Sequence, residues 1–331
     1  MEMGNAPEKE KALIAIGKFL EGDGYAFTAI TPASHAIVNA RMAKAGEEAA
    51  TARSLRDIFG WSRPFGPTAI APQVLAWLEA AGELESVSGS WRSKVRYSTL
   101  KGSLYVHSAF PTVDANAVFF GPDTYRFADL IERTLAGRSG IPVRRILDIG
   151  CGSGAGGLFL AGKLPSQGLQ VFLSDINMRA LRYARVNAAL CGRGSDQANG
   201  MGNASVFIGD TVRAIKGPLD IIVSNPPYLV DAEARLYRNG GGASGCDLSV
   251  RIVKESIPLL APGGMLILYT GTPVVEGRHV FREALAPILA GTGIESEYAE
   301  LDPDVFGEEL AHPAYASADR LAVVSLVLRR C

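Results

Sequence analysis

Hydrophobic and polar positions follow two different rhythms along this chain, and the change falls near residue 105. Before it, apolar residues recur at helical spacing. Lys11–Leu20 is one expected helix, Thr31–Ala45 a second, and Ser54–Phe59 a short third. Pro32 suits the start of the second, because the N–H that proline lacks has no helical partner there. Ala71–Leu84 is amphipathic through Val74, Leu75, Trp77, Leu78 and Ala81. Two extended runs, Trp91–Thr99 and Ser103–His107, flank Lys101-Gly102 and predict a hairpin. Helices followed by a hairpin suit a small winged-helix-like module.

Beyond residue 105, apolar runs of strand length alternate with helical segments. Strands are expected at Arg145–Ile149, Gln170–Ser174, Ser205–Ile208, Leu219–Ser224, Met265–Thr270, Glu295–Leu301 and Leu321–Leu328. Helices are expected at Gly154–Leu164, Asn177–Leu190, Leu248–Leu260 and Val275–Leu289. Such alternation predicts a largely parallel sheet with helices on both faces, an α/β class of Rossmann-like type. The expected organisation is a mostly helical N-terminal recognition domain, residues 1–104, and a sheet domain, residues 105–331. Two Gly/Ser/Asn-rich stretches, Cys191–Asn203 and Arg238–Gly245, read as flexible loops. The second lies at the carboxyl edge of the sheet, where such folds bind ligands.

With 47% hydrophobic residues the chain has material for a full core. No unbroken apolar run is long enough for a membrane span. The polar, lysine-interrupted N-terminus does not read as a signal peptide, so a cytoplasmic location is expected. The four scattered cysteines lack metal-ligand spacing and read as reduced thiols, with no metal expected. A formal charge of −1 gives no overall pull toward nucleic acid or anionic membrane. The local group Arg92, Lys94, Arg96 and Lys101 reads as a solvated hairpin face.

The chemistry concentrates at four strand ends. Ile146-Leu-Asp-Ile-Gly-Cys-Gly-Ser-Gly154 is a strand running into a glycine turn and then a helix. Gly150, Gly152 and Gly154 let backbone approach a ligand without a Cβ between them. The following helix N-terminus favours an anionic group. Asp175 ends the second strand, where a carboxylate can accept from both ribose hydroxyls of a nucleoside. Asp210 ends the third, where it can meet an adenine amino group. A nicotinamide dinucleotide fits less well: Asp148 stands where that fingerprint continues apolar, although Gly152–Gly157 satisfies G-x-G-x-x-G. Hydride transfer also gives no role to Asn225-Pro-Pro-Tyr228, which ends the fourth strand. A weakly nucleophilic planar nitrogen needs acceptors on its two N–H bonds, and the Asn225 side-chain oxygen and Pro226 carbonyl can supply them. Prolines fix the backbone and bring no competing N–H, and Tyr228 can pack on the flat acceptor group. His107 and His312 read as structural, Trp61, Trp77 and Trp91 as core anchors, and Glu308-Glu309 as a solvated pair.

These motifs resemble the class I S-adenosylmethionine-dependent methyltransferases and, within them, the N5-glutamine methyltransferases of peptide-chain release factors. The resemblance runs from about Phe119 to the C-terminus. It rests on Leu147–Gly154, Ser174-Asp-Ile-Asn177, Ala180–Asn187, Asp220–Tyr228 and Pro262-Gly-Gly264 before the fifth strand. It implies a sheet of about seven strands, the last antiparallel to the rest. It also implies S-adenosylmethionine as cofactor, with S-adenosylhomocysteine as product. Cofactor contacts would fall on Asp148, Gly150, Gly152, Asp175 and Asp210, with Gly154, Ile176, Thr211 and Asn225 beside them. Phe119–Thr124 matches the family's Pro-Arg-Pro-Glu-Thr stretch at Pro122 and Thr124 and lacks its arginine. The implied activity is N-methylation of a planar amide, first a protein glutamine. Alternatives are an exocyclic amine of adenine or guanine in RNA or DNA, and a binding protein without turnover.

Overall fold

The computed structural model describes residues 6–331 apart from 45–50, 67, 138–141, 166, 195–202, 214, 232 and 234. The N-terminal region holds α1 (Ala6–Gly22), α2 (Pro32–Lys44), α3 (Leu55–Phe59) and α4 (Pro72–Ala81). Ser54 starts α3 by accepting from the Asp57 N–H at 3.1 Å, an N-cap bond. Two hairpins follow, β1 (Leu84–Val87) with β2 (Ser90–Ser93), and β3 (Val95–Leu100) with β4 (Ser103–Ser108). The run expected as one strand from Trp91 is therefore divided. Its first part pairs back onto β1, and the Lys94 N–H bonds to the Glu83 carbonyl at 2.8 Å. Lys101 and Gly102 turn the second hairpin with φ of 48° and 91°, the left-handed pair that a two-residue hairpin loop requires. Arg96 is not on a solvated face: it is 4% exposed and bonds to His35 Nδ1 at 3.1 Å. Lys101 instead pairs with Asp129 and Glu132.

The remainder runs α5 (Pro122–Ala136), β5 (Arg145–Ile149), α6 (Ala155–Gly162), β6 (Gln170–Asp175), α7 (Met178–Leu190), β7 (Ala204–Ile208), β8 (Leu219–Ser224), α8 (Asp247–Ser256) and β9 (Leu260–Val275). Then come β10 (Arg278–His279), α9 (Val280–Leu289), β11 (Ile294–Asp302) and β12 (Arg320–Arg330). The main path of the sheet is ordered β7-β6-β5-β8-β9-β12-β11, with β10 paired to β9. Strands β5 to β9 are mutually parallel, and β12 is antiparallel to both its neighbours. The order reverses at β5, which pairs with β6 on one side and β8 on the other. A crevice opens at the carboxyl ends of these strands, the place such sheets use for ligands.

Further details differ from the expected elements. Helix α5 was not expected, although it buries Phe127, Ala128, Leu130 and Ile131 at helical spacing. Pro262-Gly263-Gly264 lies inside β9, where the register against β8 shifts, and Gly263 has a φ of 70°.

The N-terminal region packs on α7. Leu13, Ile16 and Leu20 of α1 share one buried cluster with Ala180, Tyr183 and Val186 of α7. Gly17 permits this approach, since a Cβ there would lie 2.7 Å from Leu190 Cδ1. The boundary expected between residues 104 and 105 falls inside β4. Asn187 of α7, fully buried, holds that strand: its Oδ1 accepts from the Val106 N–H at 2.8 Å, and its Nδ2 donates to the Val106 carbonyl at 3.0 Å. The same Nδ2 donates to the Ser153 carbonyl at 2.8 Å, so one amide ties the hairpin to the glycine turn.

The stretch Arg238–Gly245 is closely packed rather than loose. Gly240 N–H bonds to the Leu229 carbonyl and Leu248 N–H to the Gly240 carbonyl. Arg238 forms ion pairs with Asp231 and Glu309, so Glu309 is not a solvated residue. Gly245 has a φ of 79°, and a Cβ there would sit 2.4 Å from the Tyr228 carbonyl oxygen. Left-handed strain and a backbone clash combine, so Gly245→Ala is expected to lower unfolding free energy by about 2 kcal/mol. Urea titration checks this. The Cys191–Asn203 stretch lies largely outside the described residues.

Candidate active site

One pocket gathers the sequence motifs. Its lining includes Asp148, Gly150 and Gly152 of the glycine turn, Asp175 and Ile176 after β6, Asp210 and Thr211 after β7, and Asn225–Tyr228 after β8. Ser224 Oγ donates to the Ile149 carbonyl at 2.8 Å and locks the ends of β8 and β5 together. The donor-side and acceptor-side motifs therefore meet across one strand pair.

The glycine turn forms a cradle. Gly150 and Gly152 have φ of 63° and 54°. A Cβ on Gly150 would find no heavy atom within 4 Å, and one on Gly152 would reach only Val118 at 4.0 Å. Side chains here would fill pocket space. Gly154 differs: its Cβ would press on Leu158, Leu173 and Ala184 at 3.2–3.4 Å, so this glycine serves packing and does not line the pocket.

Asp175 braces the cradle. One carboxylate oxygen accepts from the Gly152 N–H and the other from the Asn177 N–H, both at 2.8 Å. Burial raises its pKa, against the lowering effect of those backbone donors. Each oxygen keeps a lone pair that a vicinal diol could use. Beside it, Ile176 is an apolar surface 52% exposed, suited to a flat aromatic base. Asp175→Ala is expected to weaken S-adenosylhomocysteine binding by about 1.5–3 kcal/mol, roughly tenfold to a hundredfold. Calorimetric titration of both proteins measures it.

Asp148 is fully enclosed, and its Oδ2 accepts from the Gly157 N–H at 2.7 Å. Burial pushes its carboxyl up to about 7, the Gly157 bond opposes this, and the charge of Asp175 adds to the rise. Cys151, buried in the same turn, has its thiol raised by burial first and by the two aspartates after it.

At the far end, Asp210 is 45% exposed in its side chain, has one hydrogen-bond partner on each carboxylate oxygen and keeps a lone pair on each. Arg251 of α8 binds it through both guanidinium nitrogens, at 3.2 Å and 2.5 Å. Thr211 has a φ of 58°, an uncommon state for a β-branched residue. Its hydroxyl bonds to Glu255, also on α8. Arg251 and Glu255 had no sequence motif to announce them: they become visible only once α8 lies against the end of β7.

The Phe119–Thr124 segment divides in two. Thr124 lines the pocket, and its hydroxyl accepts from the Gly121 N–H at 3.3 Å. Pro122, expected beside the cofactor, is not in the described lining; it opens α5 at a position where a ring without an N–H fits. Tyr228 also departs from the expected geometry. Its ring is buried against Gly271, where an added Cβ would lie 2.2 Å from Cδ2. Its hydroxyl donates to Asp123 Oδ2 at 2.7 Å. His107 is a core residue bonded to Ser98 and Ser108, and its pKa is depressed by burial. His312 accepts from the Ala314 N–H at the start of a short turn. Phe27 and His35 flank Trp61, Phe19 meets Trp77, and Trp91 bridges to Phe65, all away from the pocket.

The lining suits S-adenosylmethionine: the Asp175 carboxylate for hydroxyl groups, a glycine cradle, and an apolar shelf at Ile176. Comparison with known proteins points the same way. The methyltransferase small domain model matches residues 128–275. A release factor glutamine methyltransferase of Chlorobaculum tepidum is 32% identical over 237 residues, covering 66% of this chain and 78% of that protein. The Deinococcus radiodurans protein of the same name is 32% identical over 211 residues, covering 60% of this chain. The chain spans 66% of that relative's length and 63% of one from Rhodospirillum rubrum, which is 33% identical over 62% of this chain. Among the described residues no helix is long and apolar enough to cross a membrane.

Proposed function

The chain belongs to the class I S-adenosylmethionine-dependent methyltransferases, and from that premise we propose that it methylates the side-chain amide nitrogen of a glutamine in a polypeptide. Peptide-chain release factors are the first acceptors to test, because the relatives carry that name. The observation that carries this reading is the shared pocket: Asn225 and Pro226 line the same cavity as Asp148, Gly150, Gly152 and Asp175.

Bound S-adenosylmethionine supplies a methyl group on a positively charged sulfur. Everything else falls to the chain. Asp175 and the glycine cradle would hold the nucleoside, with Ile176 beside its base. Asn225 and the Pro226 carbonyl take the two N–H bonds of the acceptor amide. That grip would turn the nitrogen lone pair toward the methyl carbon and favour pyramidal nitrogen: as the N–C bond forms the S–C bond breaks, neutral S-adenosylhomocysteine leaves, and one N–H proton passes to water.

The setting of the pocket favours a polypeptide over a phosphate backbone. The two arginines in its lining have carboxylate partners, Arg238 with Asp231 and Glu309 and Arg251 with Asp210, as do Arg235 and Arg179 beside lining residues in sequence, with Asp231 and Asp114. Pro32, the first residue of α2, also lines the pocket. This contact supports a recognition role for residues 1–104. The test is incubation with methyl-labelled donor and cell lysate, followed by protease or nuclease. Label removed by protease supports the reading; label removed only by nuclease moves the acceptor to an exocyclic base amine.

A further inference from the structure

We propose that Asp123 is a positioning residue for the acceptor-binding corner, aiming Asn225-Pro226 through the hydroxyl of Tyr228. The inference rests on the reading above. Asp123 is the second residue of α5, is 7% exposed, and lines the pocket. Its two carboxylate oxygens have different tyrosine donors. Oδ2 accepts from Tyr228 at 2.7 Å, and Oδ1 accepts from Tyr269 of β9 at 2.8 Å. Arg126, one turn along α5, approaches Oδ1 at 3.5 Å and pairs with Asp302 of β11 at 2.9 Å. A carboxylate in the first turn of a helix is also favoured by the helix dipole.

The consequence lies in where Tyr228 sits. Asn225-Pro226-Pro227 is anchored at its start by Ser224 Oγ on the Ile149 carbonyl. Its other end is Tyr228. There the ring is wedged against Gly271, and the hydroxyl is fixed by Asp123. Two prolines in between leave few torsions free. The tripeptide is thus held at both ends, and the second anchor comes from α5, outside the sheet. Since the Tyr228 hydroxyl is spent on Asp123, that tyrosine acts by holding the turn and not by bonding the acceptor. Charge-assisted bonds of this kind hold direction better than neutral ones. A loosened turn would let the acceptor nitrogen drift from the line of attack, a displacement that costs on the order of 10²-fold in rate per ångström.

Asp123→Asn keeps the shape, yet its amide can accept from only one tyrosine at its single oxygen. With methyl-labelled donor and a purified release factor, kcat is expected to fall on the order of 10²-fold. KM for the acceptor and affinity for S-adenosylhomocysteine should stay within about threefold. Tyr228→Phe should give a comparable loss, and the double variant should be no slower than either single variant, because all three cut one connection. Asp123→Glu should recover part of the rate. Without any acceptor, the 13Cζ resonances of Tyr228 and Tyr269, assigned by their Phe variants, should both shift in Asp123→Asn. Unmoved resonances overturn the inference, and so does an unchanged kcat in both Asp123→Asn and Tyr228→Phe. Loss confined to S-adenosylhomocysteine affinity also overturns it. If Asp123→Asn does not fold, the Tyr228→Phe rate alone decides. A wild-type chain that labels no polypeptide overturns the function reading, whereas equal labelling by wild type and Asp123→Asn overturns this inference alone.

Discussion

Asn225→Ala is expected to lower methyl transfer by about 10²- to 10³-fold while S-adenosylhomocysteine still binds. The magnitude is that of removing one preorganised polar group from a reacting centre. An amide nitrogen shares its lone pair with the carbonyl, so its nucleophilicity must be drawn out by acceptors on both N–H bonds. Asn225 lines the pocket at the end of β8, next to the Pro226 carbonyl and across from the glycine cradle. Alanine removes one acceptor and leaves the other in place. The cradle and Asp175 belong to β5 and β6, so donor affinity should survive. Initial-rate kinetics beside calorimetry separate the effects. Equal loss of rate and donor affinity would move Asn225 into the donor site. No loss of rate would remove it from the chemistry, and a chain with no transfer to lose would be a binding protein.

A second large effect concerns pH. Asp148 has its carboxyl pushed up to about 7 in the folded chain, chiefly by burial, from a reference of 3.8. Between these values the folded state keeps a proton that the unfolded state has released. Its contribution to stability is fully present below pH 3.8 and is lost as pH rises toward 7. The slope from this one group approaches about 1.4 kcal/mol per pH unit inside that window. Asp175 is raised in the same direction, so the wild-type curve alone cannot isolate Asp148. Asp148→Asn does isolate it: the amide oxygen can still accept from the Gly157 N–H, and nothing titrates. Relative to wild type, the variant should gain stability steadily from pH 4.5 to 7. Urea unfolding at three pH values measures the gap; parallel curves would contradict the burial argument.

Much of the sheet was legible because its strands are buried on both faces and read as short apolar runs, even where a single aspartate, Asp148 or Asp220, breaks them. Ile146–Ile149 and Leu219–Val223 are such runs, and the observed strands begin and end within a residue of them. Glycine positions in the turn were also legible, but their separate tasks were not. Gly150 and Gly154 look alike in sequence; one faces open pocket, the other three apolar side chains. Helix α5 is hidden in the sequence because its start, Gly121-Pro122-Asp123, has the composition of a turn. Contacts between distant segments were beyond pattern reading. Asp210 to Arg251 spans 41 residues, Tyr228 to Asp123 spans 105, and Asn187 to Val106 spans 81. No local spacing encodes such meetings, because sheet topology alone brings them together. Glu309 and Arg96 show a related limit: a charge that finds a partner across the fold looks, in sequence, like any charge on a surface.

The linkage of the transferred methyl group gives the most direct check. Polypeptide labelled by this chain from methyl-labelled S-adenosylmethionine should be hydrolysed in strong acid, the hydrolysate made alkaline, and its volatile amines collected. A methyl on a glutamine amide nitrogen should leave as labelled methylamine. Label released instead as methanol under mild base, or retained on lysine or arginine, would contradict an acceptor amide gripped by Asn225 and Pro226.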